Sequence, residues 1–415
     1  MEEKKGGFWK KIGAIFMSAF LALSGGEIVV AQTPRLDSGR PHVESENLVE
    51  EWANFNMIMD RYPEFRESGE RIISLKDIKE TPVGGEVCDT MVPQGLEALD
   101  DYLLVTAYDG IEGYKRELGL HSYRKDMREK AAAEQNHHAH NSVIIVLDKN
   151  TNRILTTLEL EDKNHVGGIA IDDKNAYIAK SSDREISVIS LDKLRQTIKE
   201  NVDGGIESSK ISYDENLRCD CDASFVTTRE TNDGRTQLAV GTWKPFPGVS
   251  TIRIFDFNDE GLLELNQTFA TNSSANGAKF VRRGDEEYFI VACSLGRSLN
   301  SNLFVYNVEE LDGDIILSQK SHMSLPPMTE ELAVIENEDG SRSLLVGSEA
   351  FSTRYEIGKR DIVSNGIMVM DLDTILNMKK EPRKVGELIN TDVYMEEQIE
   401  KEDPEDERDD DDIER

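Results

Sequence analysis

Apolar positions between residues 88 and 375 fall in short runs bounded by polar or small residues, not at helical spacing. Five runs of β-branched and aromatic residues end in Asp or Asn, at 143–148, 186–192, 252–256, 303–307 and 367–371. Five more precede them, at 103–108, 177–182, 238–243, 289–294 and 344–349. Short continuous apolar runs between turn signals predict strands buried on both faces. Ahead of each pair a small or polar step leads into one further strand, beginning at Gln94, Gly167, Asp222, Asn276 and Glu330. These steps recur at spacings of 73, 55, 54 and 54 residues. The long first interval contains residues 110–139, rich in Lys, Arg, Glu and Ala, which predicts a helical insertion. A fourth run is visible in several units, at 153–160, 262–271 and 315–320.

A unit of four short strands cannot bury both of its faces alone, and stacking such units radially buries them while leaving short edges. The prediction is an all-β, five-bladed β-propeller with a helical insertion in its first blade. The residues that end the runs, Asp148, Asp192, Asp256, Asn307 and Asp371, read as hairpin turns held by the Asp or Asn side chain. Two strands compete to close the ring, 71–75 before the first blade and 384–389 after the last; the second is favoured and the first is left as an added strand or latch. Residues 44–62 place Leu48, Trp52, Phe55, Met57 and Met59 at helical spacing and predict a helix packed on the outside of the ring. The resulting organisation is 1–31 as a signal peptide or anchor and 32–87 as an N-terminal helical extension. The propeller takes 88–390, and 391–415 form an acidic tail.

The stretches His140-Asn141-Ser142-Val143-Ile144-Ile145-Val146-Leu147-Asp148 and His165-Val166-Gly167-Gly168-Ile169-Ala170-Ile171-Asp172 resemble those of exported bacterial β-propellers of the NHL and YVTN-repeat type. The resemblance runs over roughly residues 88 to 375. It implies the propeller fold and brings no catalytic residue set with it, because this fold hosts lectins, scaffolds and hydrolases alike.

Charge narrows the function classes. The chain of 415 residues carries 48 basic and 80 acidic side chains, a formal charge of −32, which excludes neutralising a phosphate backbone, so no nucleic-acid partner is expected. Lys4, Lys5, Lys10 and Lys11 precede an apolar run from Ile12 to Leu23 and then small residues up to Ala31, the order of a secretory signal. The run is short for a bilayer span, so the expectation is a secreted or cell-envelope protein that meets a membrane only if this segment stays uncleaved. Residues 396–415 hold 13 acidic and 3 basic residues and almost no apolar ones, which predicts disorder. Cys88, Cys219, Cys221 and Cys293 are too few and too scattered for a disulfide framework.

Inner strands of a propeller line an axial channel, and the loops at one mouth converge. Gln94, His165, Asp222, Asn276 and Glu330 at the inner-strand steps are therefore candidate ligand-binding residues, with Glu349 and Trp243 at the ends of second strands. An oxygen-lined ring of this kind suits Ca²⁺, a glycan or a protein partner. The alternative is an extracellular hydrolase of glycan or phosphoester, in which Glu330, Glu331 and Asp222 supply acid, base or metal ligand. Trp243, followed by Lys244-Pro245, is an aromatic platform for a sugar or peptide. His137, His138 and His140 end the insertion in a step able to share a transition metal, but sequence alone places no partner carboxylate or cysteine beside them, and they read as a solvated polar loop.

Overall fold

The computed structural model describes residues 46–111, 139–245, 247–311, 314–355 and 363–379. Strands over these residues form five antiparallel sheets of four to five strands and one small hairpin, Thr81–Val83 with Glu86–Cys88. The innermost strands are Met91–Leu99, Val166–Ile171, Phe225–Glu230, Ala275–Arg283 and Thr329–Glu336. Each touches the next, and the fifth touches the first, so the sheets close into a five-bladed propeller.

Packing explains why the apolar runs are continuous. Along the second strand of blade one, Leu103 and Val105 belong to the cluster shared with blade five, whereas Leu104 belongs to the cluster shared with blade two. Alternate side chains therefore face opposite neighbours, and no position in the strand centre faces water. The same holds around the ring. One cluster fills each interface: Val226 and Leu238 against Ala179 and Ile186, Phe225 and Ile252 against Phe289 and Val291, and Ile290 and Leu303 against Val346 and Met368.

Ring closure departs from the expectation. Gly69–Ser74 is the outer strand of blade five and pairs antiparallel with Gly366–Asp371, through Ile72↔Met368 and Ile73↔Ile367. The N-terminal extension thus completes the propeller, and the favoured alternative, 384–389, lies outside the described residues. Ile73 is fully buried in the seam between blades five and one, which fixes the strand there. The helix Glu46–Arg61 packs Phe55 and Ile58, with Met59 partly buried beside them, on the seam between blades four and five, whereas Met57 of the predicted face is exposed.

Two of the expected hairpin turns are helix starts. Strand Glu185–Ser190 runs directly into the helix Leu191–Gly204, with Asp192 in its first turn, and Leu194 and Ile198 pack into the seam between blades one and two. Asp371 caps the helix Leu372–Asn377 by accepting from the Thr374 amide. Asp148 behaves as expected, its Oδ1 accepting from the amides of Asn150 and Thr151 at 2.9 and 2.6 Å. Ser208–Lys210 adds a parallel fifth strand to blade one. The predicted insertion, the N-terminal signal and the acidic tail fall largely or wholly outside the described residues.

Candidate functional site

Four of the five inner strands carry a β-bulge at the same level: between Pro93 and Leu96, Val166 and Gly168, Ala275 and Gly277, and Thr329 and Leu332. A bulge leaves a residue out of the ladder and re-aims it. The residues freed here are Gln94, Gly167, Asn276 and Glu330, four of the predicted steps. Blade three pairs without a shift, and its inner strand begins at Phe225. Asp222 therefore stands outside this set. It forms ion pairs with Arg184 at 3.3 Å and Lys244 at 3.6 Å on the rim and is about half exposed.

Just below the bulges the strands close in so far that one side chain fills the axis. Glu331, from blade five, is 1% exposed. Its Oε1 accepts from the amides of Ala278 and Leu332, each at 3.1 Å, while its Oε2 is buried without a hydrogen-bond partner. A methyl group on Gly168 would lie 2.6 Å from that Oε2, and one on Gly277 would lie 2.6 Å from the Glu331 Cα. Only glycine leaves room for the carboxyl to cross. One layer further along the strands, Lys279 of blade four pairs with Glu97 of blade one, both largely buried. Burial pushes the Glu331 carboxyl well above the ordinary range, and Lys279 opposes that shift.

At the mouth, the carboxyls of Glu330 and Glu349 of blade five face each other in one buried site. Asn276 Nδ2 donates to Glu330 Oε1 at 2.9 Å, and Gln94 Nε2 donates to Glu349 Oε2 at 3.2 Å. Burial, then the neighbouring carboxylate, raises Glu330 well above its usual pKa; burial raises Glu349, with Tyr355, Arg354 and Gln94 opposing. Two carboxyls in one desolvated site disfavour each other's ionisation. The Asn276 Oδ1 is buried with no hydrogen-bond partner. Tyr355 lies beside Glu349 and Tyr108, and Arg354 Nη1 donates to the Tyr108 hydroxyl. Arg354 also lies over the rings of Tyr108 and Tyr355, at 5.7 and 5.1 Å. The His165 ring packs on Tyr108 at 4.6 Å between centroids. His165 is exposed at the mouth, and the protein packed around its ring, together with Arg354, pulls its pKa down to about 4.

Gln94, His165, Asn276, Glu330 and Glu349 are thus gathered at one mouth, with Glu331 beneath them. Trp243 is 38% exposed and donates from Nε1 to the Ser294 carbonyl at 3.4 Å, bridging blades three and four. Sequence reasoning missed Tyr108, Arg354 and Tyr355. Tyr108 was within reach, because it ends a second strand as Glu349 does. Arg354 and Tyr355 sit on an irregular turn after blade five's second strand, where no periodicity marks them.

No family model and no curated protein sequence matches the chain. Solved structures do. Hydrazine synthase from Kuenenia stuttgartiensis is similar at 11% identity and a TM-score of 0.33, over 63% of this chain and 57% of that one. Glutaminyl cyclase from Myxococcus xanthus is similar at 8% identity and 0.35, over 68% and 90%. Xylan β-1,4-xylosidase from Bacillus halodurans C-125 is similar at 11% identity and 0.38, over 68% and 52%. The chain spans less than two thirds of the hydrazine synthase chain.

Proposed function

We propose that this propeller is a binding module, not an enzyme, and that its channel mouth seats a hard divalent cation of the Ca²⁺ class through Glu330 and Glu349. The observation that carries this reading is the pairing of two buried carboxyls at the mouth with the Asn276 and Gln94 amides beside them. Two desolvated carboxyls side by side disfavour full ionisation even with Arg354 acting on Glu349; a divalent ion relieves that repulsion and is ligated by both. The unpartnered Asn276 Oδ1 and the Gln94 amide supply neutral oxygen ligands beside them, and water completes the 6–8 oxygens that Ca²⁺ takes.

The hydrolase alternative draws less support. Glycoside cleavage needs carboxyls about 5 to 9.5 Å apart, whereas Glu330 and Glu349 stand side by side in one site. Glu331 is tied to two backbone amides, and Asp222 is paired on the rim. A cation at the mouth in turn offers its open positions to the hydroxyls of a glycan or a carboxylate of a protein partner. The N-terminal signal pattern supports export, so binding outside the cell or in its envelope is part of the same proposal.

Thermal unfolding with CaCl₂, MgCl₂ and chelator tests it. Ca²⁺ at 100 times its Kd adds about 2.7 kcal/mol of stability, with a matching rise in Tm, and Glu349→Gln and Glu330→Gln abolish the rise. Arg354→Leu removes the nearest opposing positive charge and tightens Ca²⁺ severalfold. An unchanged Tm at millimolar Ca²⁺, or an equal rise in both Gln variants, overturns the reading.

A further inference from the structure

A second cluster lies at the base of the insertion, on the outer side of the same end of blade one. Cys88 ends the small hairpin, Asp109 ends the second strand, and His140 stands where the chain returns to the third strand. One ligand atom from each of the three lies within 4.8 Å of the other two. Cys88 and Asp109 are buried, His140 is partly exposed, and the exposed Glu86 Oε2 stands 3.8 Å from His140 Nε2. The cluster is thus closed on the protein side and open on one.

We propose that Cys88, Asp109 and His140 bind a divalent transition metal of the zinc class through His140 Nδ1, with water at the fourth position and Glu86 facing the far ring nitrogen as its orienting partner. The donor set is right for it: thiolate, imidazole and carboxylate are the three side-chain types that hold zinc, and the two anionic ones neutralise its charge. Zinc bonds of about 2.0–2.3 Å in a tetrahedron space ligand atoms about 3.3–3.6 Å apart. The His140 Nδ1 to Asp109 Oδ2 contact, 2.9 Å, has to open slightly and the longer edges have to close by about 1 Å. Side-chain torsions supply such shifts without moving a strand.

Asp109 is already oriented. Its Oδ1 accepts from Thr90 Oγ1 at 2.6 Å and the Ile111 amide at 2.9 Å, and its Oδ2 from the His140 amide at 2.9 Å. Those three bonds persist when a metal comes between ring and carboxylate, and partners of this kind are what hold a ligating carboxylate in position. Uptake releases the Cys88 thiol proton; where Nδ1 ligates, the neutral ring keeps its proton on Nε2, so no second proton is lost and no electrons move. The metal would tie the hairpin, the second strand and the returning chain into one knot beside Tyr108.

Cobalt(II) titration of chelator-treated protein reads this directly. One equivalent gives a thiolate-to-cobalt charge-transfer band in the near ultraviolet, and one equivalent of Zn²⁺ bleaches it. The band survives replacement of both Cys219 and Cys221 by Ser, and Cys88→Ser removes it. Glu86→Gln, at an exposed position, weakens metal binding about tenfold or more and leaves the fold intact. Should Cys88→Ser fail to fold, alkylation of the wild-type protein decides: Zn²⁺ protects Cys88, read by peptide mass. No band at excess cobalt, a band that depends on Cys219 and Cys221 instead, or equal alkylation of Cys88 with and without Zn²⁺ overturns the proposal.

Discussion

At the scale of single residues, the carboxyl pair Glu330 and Glu349 inverts the usual pH dependence of an acidic protein. Both hold protons more tightly folded than unfolded, so the native state binds more protons than the unfolded one above the ordinary carboxylate range. Their contribution to stability therefore falls as pH rises from about 4.5 toward neutrality. Urea midpoints measured without divalent cations are expected to decline between about pH 5 and about pH 8, and a Glu330→Gln, Glu349→Gln double variant to decline less. Asp109 works in the opposite sense: hydrogen bonds from Thr90 and His140 hold its carboxyl below the usual range against its own burial, and that stabilisation is lost as pH falls through its lowered pKa. How well such residues could be read from sequence depended on local pattern. Gln94, Asn276 and Glu330 were legible because each precedes a bulge at a small or polar step. Asp222 misled because blade three has Phe225 where blades two and four have glycine; its ring faces Gly241 instead, and the repeat anchor slid outward along the chain.

At the scale of elements, the inner strands owe their close approach to residues without side chains. Gly277→Ala would drive a methyl group into the Glu331 backbone and the Glu330 carbonyl, at 2.6 and 2.9 Å. An overpacked site of this kind costs about 1–3 kcal/mol, which chemical denaturation would read, and a change under 0.5 kcal/mol would show the channel to be looser than described. The closing strand offers a second test, because Ile73→Ala empties a fully buried position in the seam between blades five and one, with an expected loss of about 2–5 kcal/mol. The strands themselves were easy to find, since burial on both faces writes an unbroken apolar run. Which strand closes the ring was not, because residues 71–75 and 384–389 carry equally strand-like patterns and only the tertiary partner tells them apart. The helix Leu191–Gly204 was overlooked for a related reason: it begins on the last residue of a strand, with no turn signal between.

At the scale of the whole molecule, every blade shares an apolar cluster with each neighbour, so no blade has a core of its own. Residues 46–379 are expected to melt in one step, with calorimetric and van't Hoff enthalpies in agreement; two resolved transitions would mean that the seams are uneven. Five sheets and their order were readable from a pitch of about 54 residues, while the bonds across the mouth were not, because they join blades through irregular turns. The N-terminal closure also orders events in time. Asn54 donates to the carbonyl of Val363 across 309 positions of sequence, and strand Gly69–Ser74 waits for Gly366–Asp371. On a ribosome, strand Gly69–Ser74 emerges well before its mate, so a nascent chain carries that unmatched edge until Gly366–Asp371 has followed. Contacts of such long range make for slow assembly, and whatever shields that waiting edge sets how much of the protein reaches its native ring.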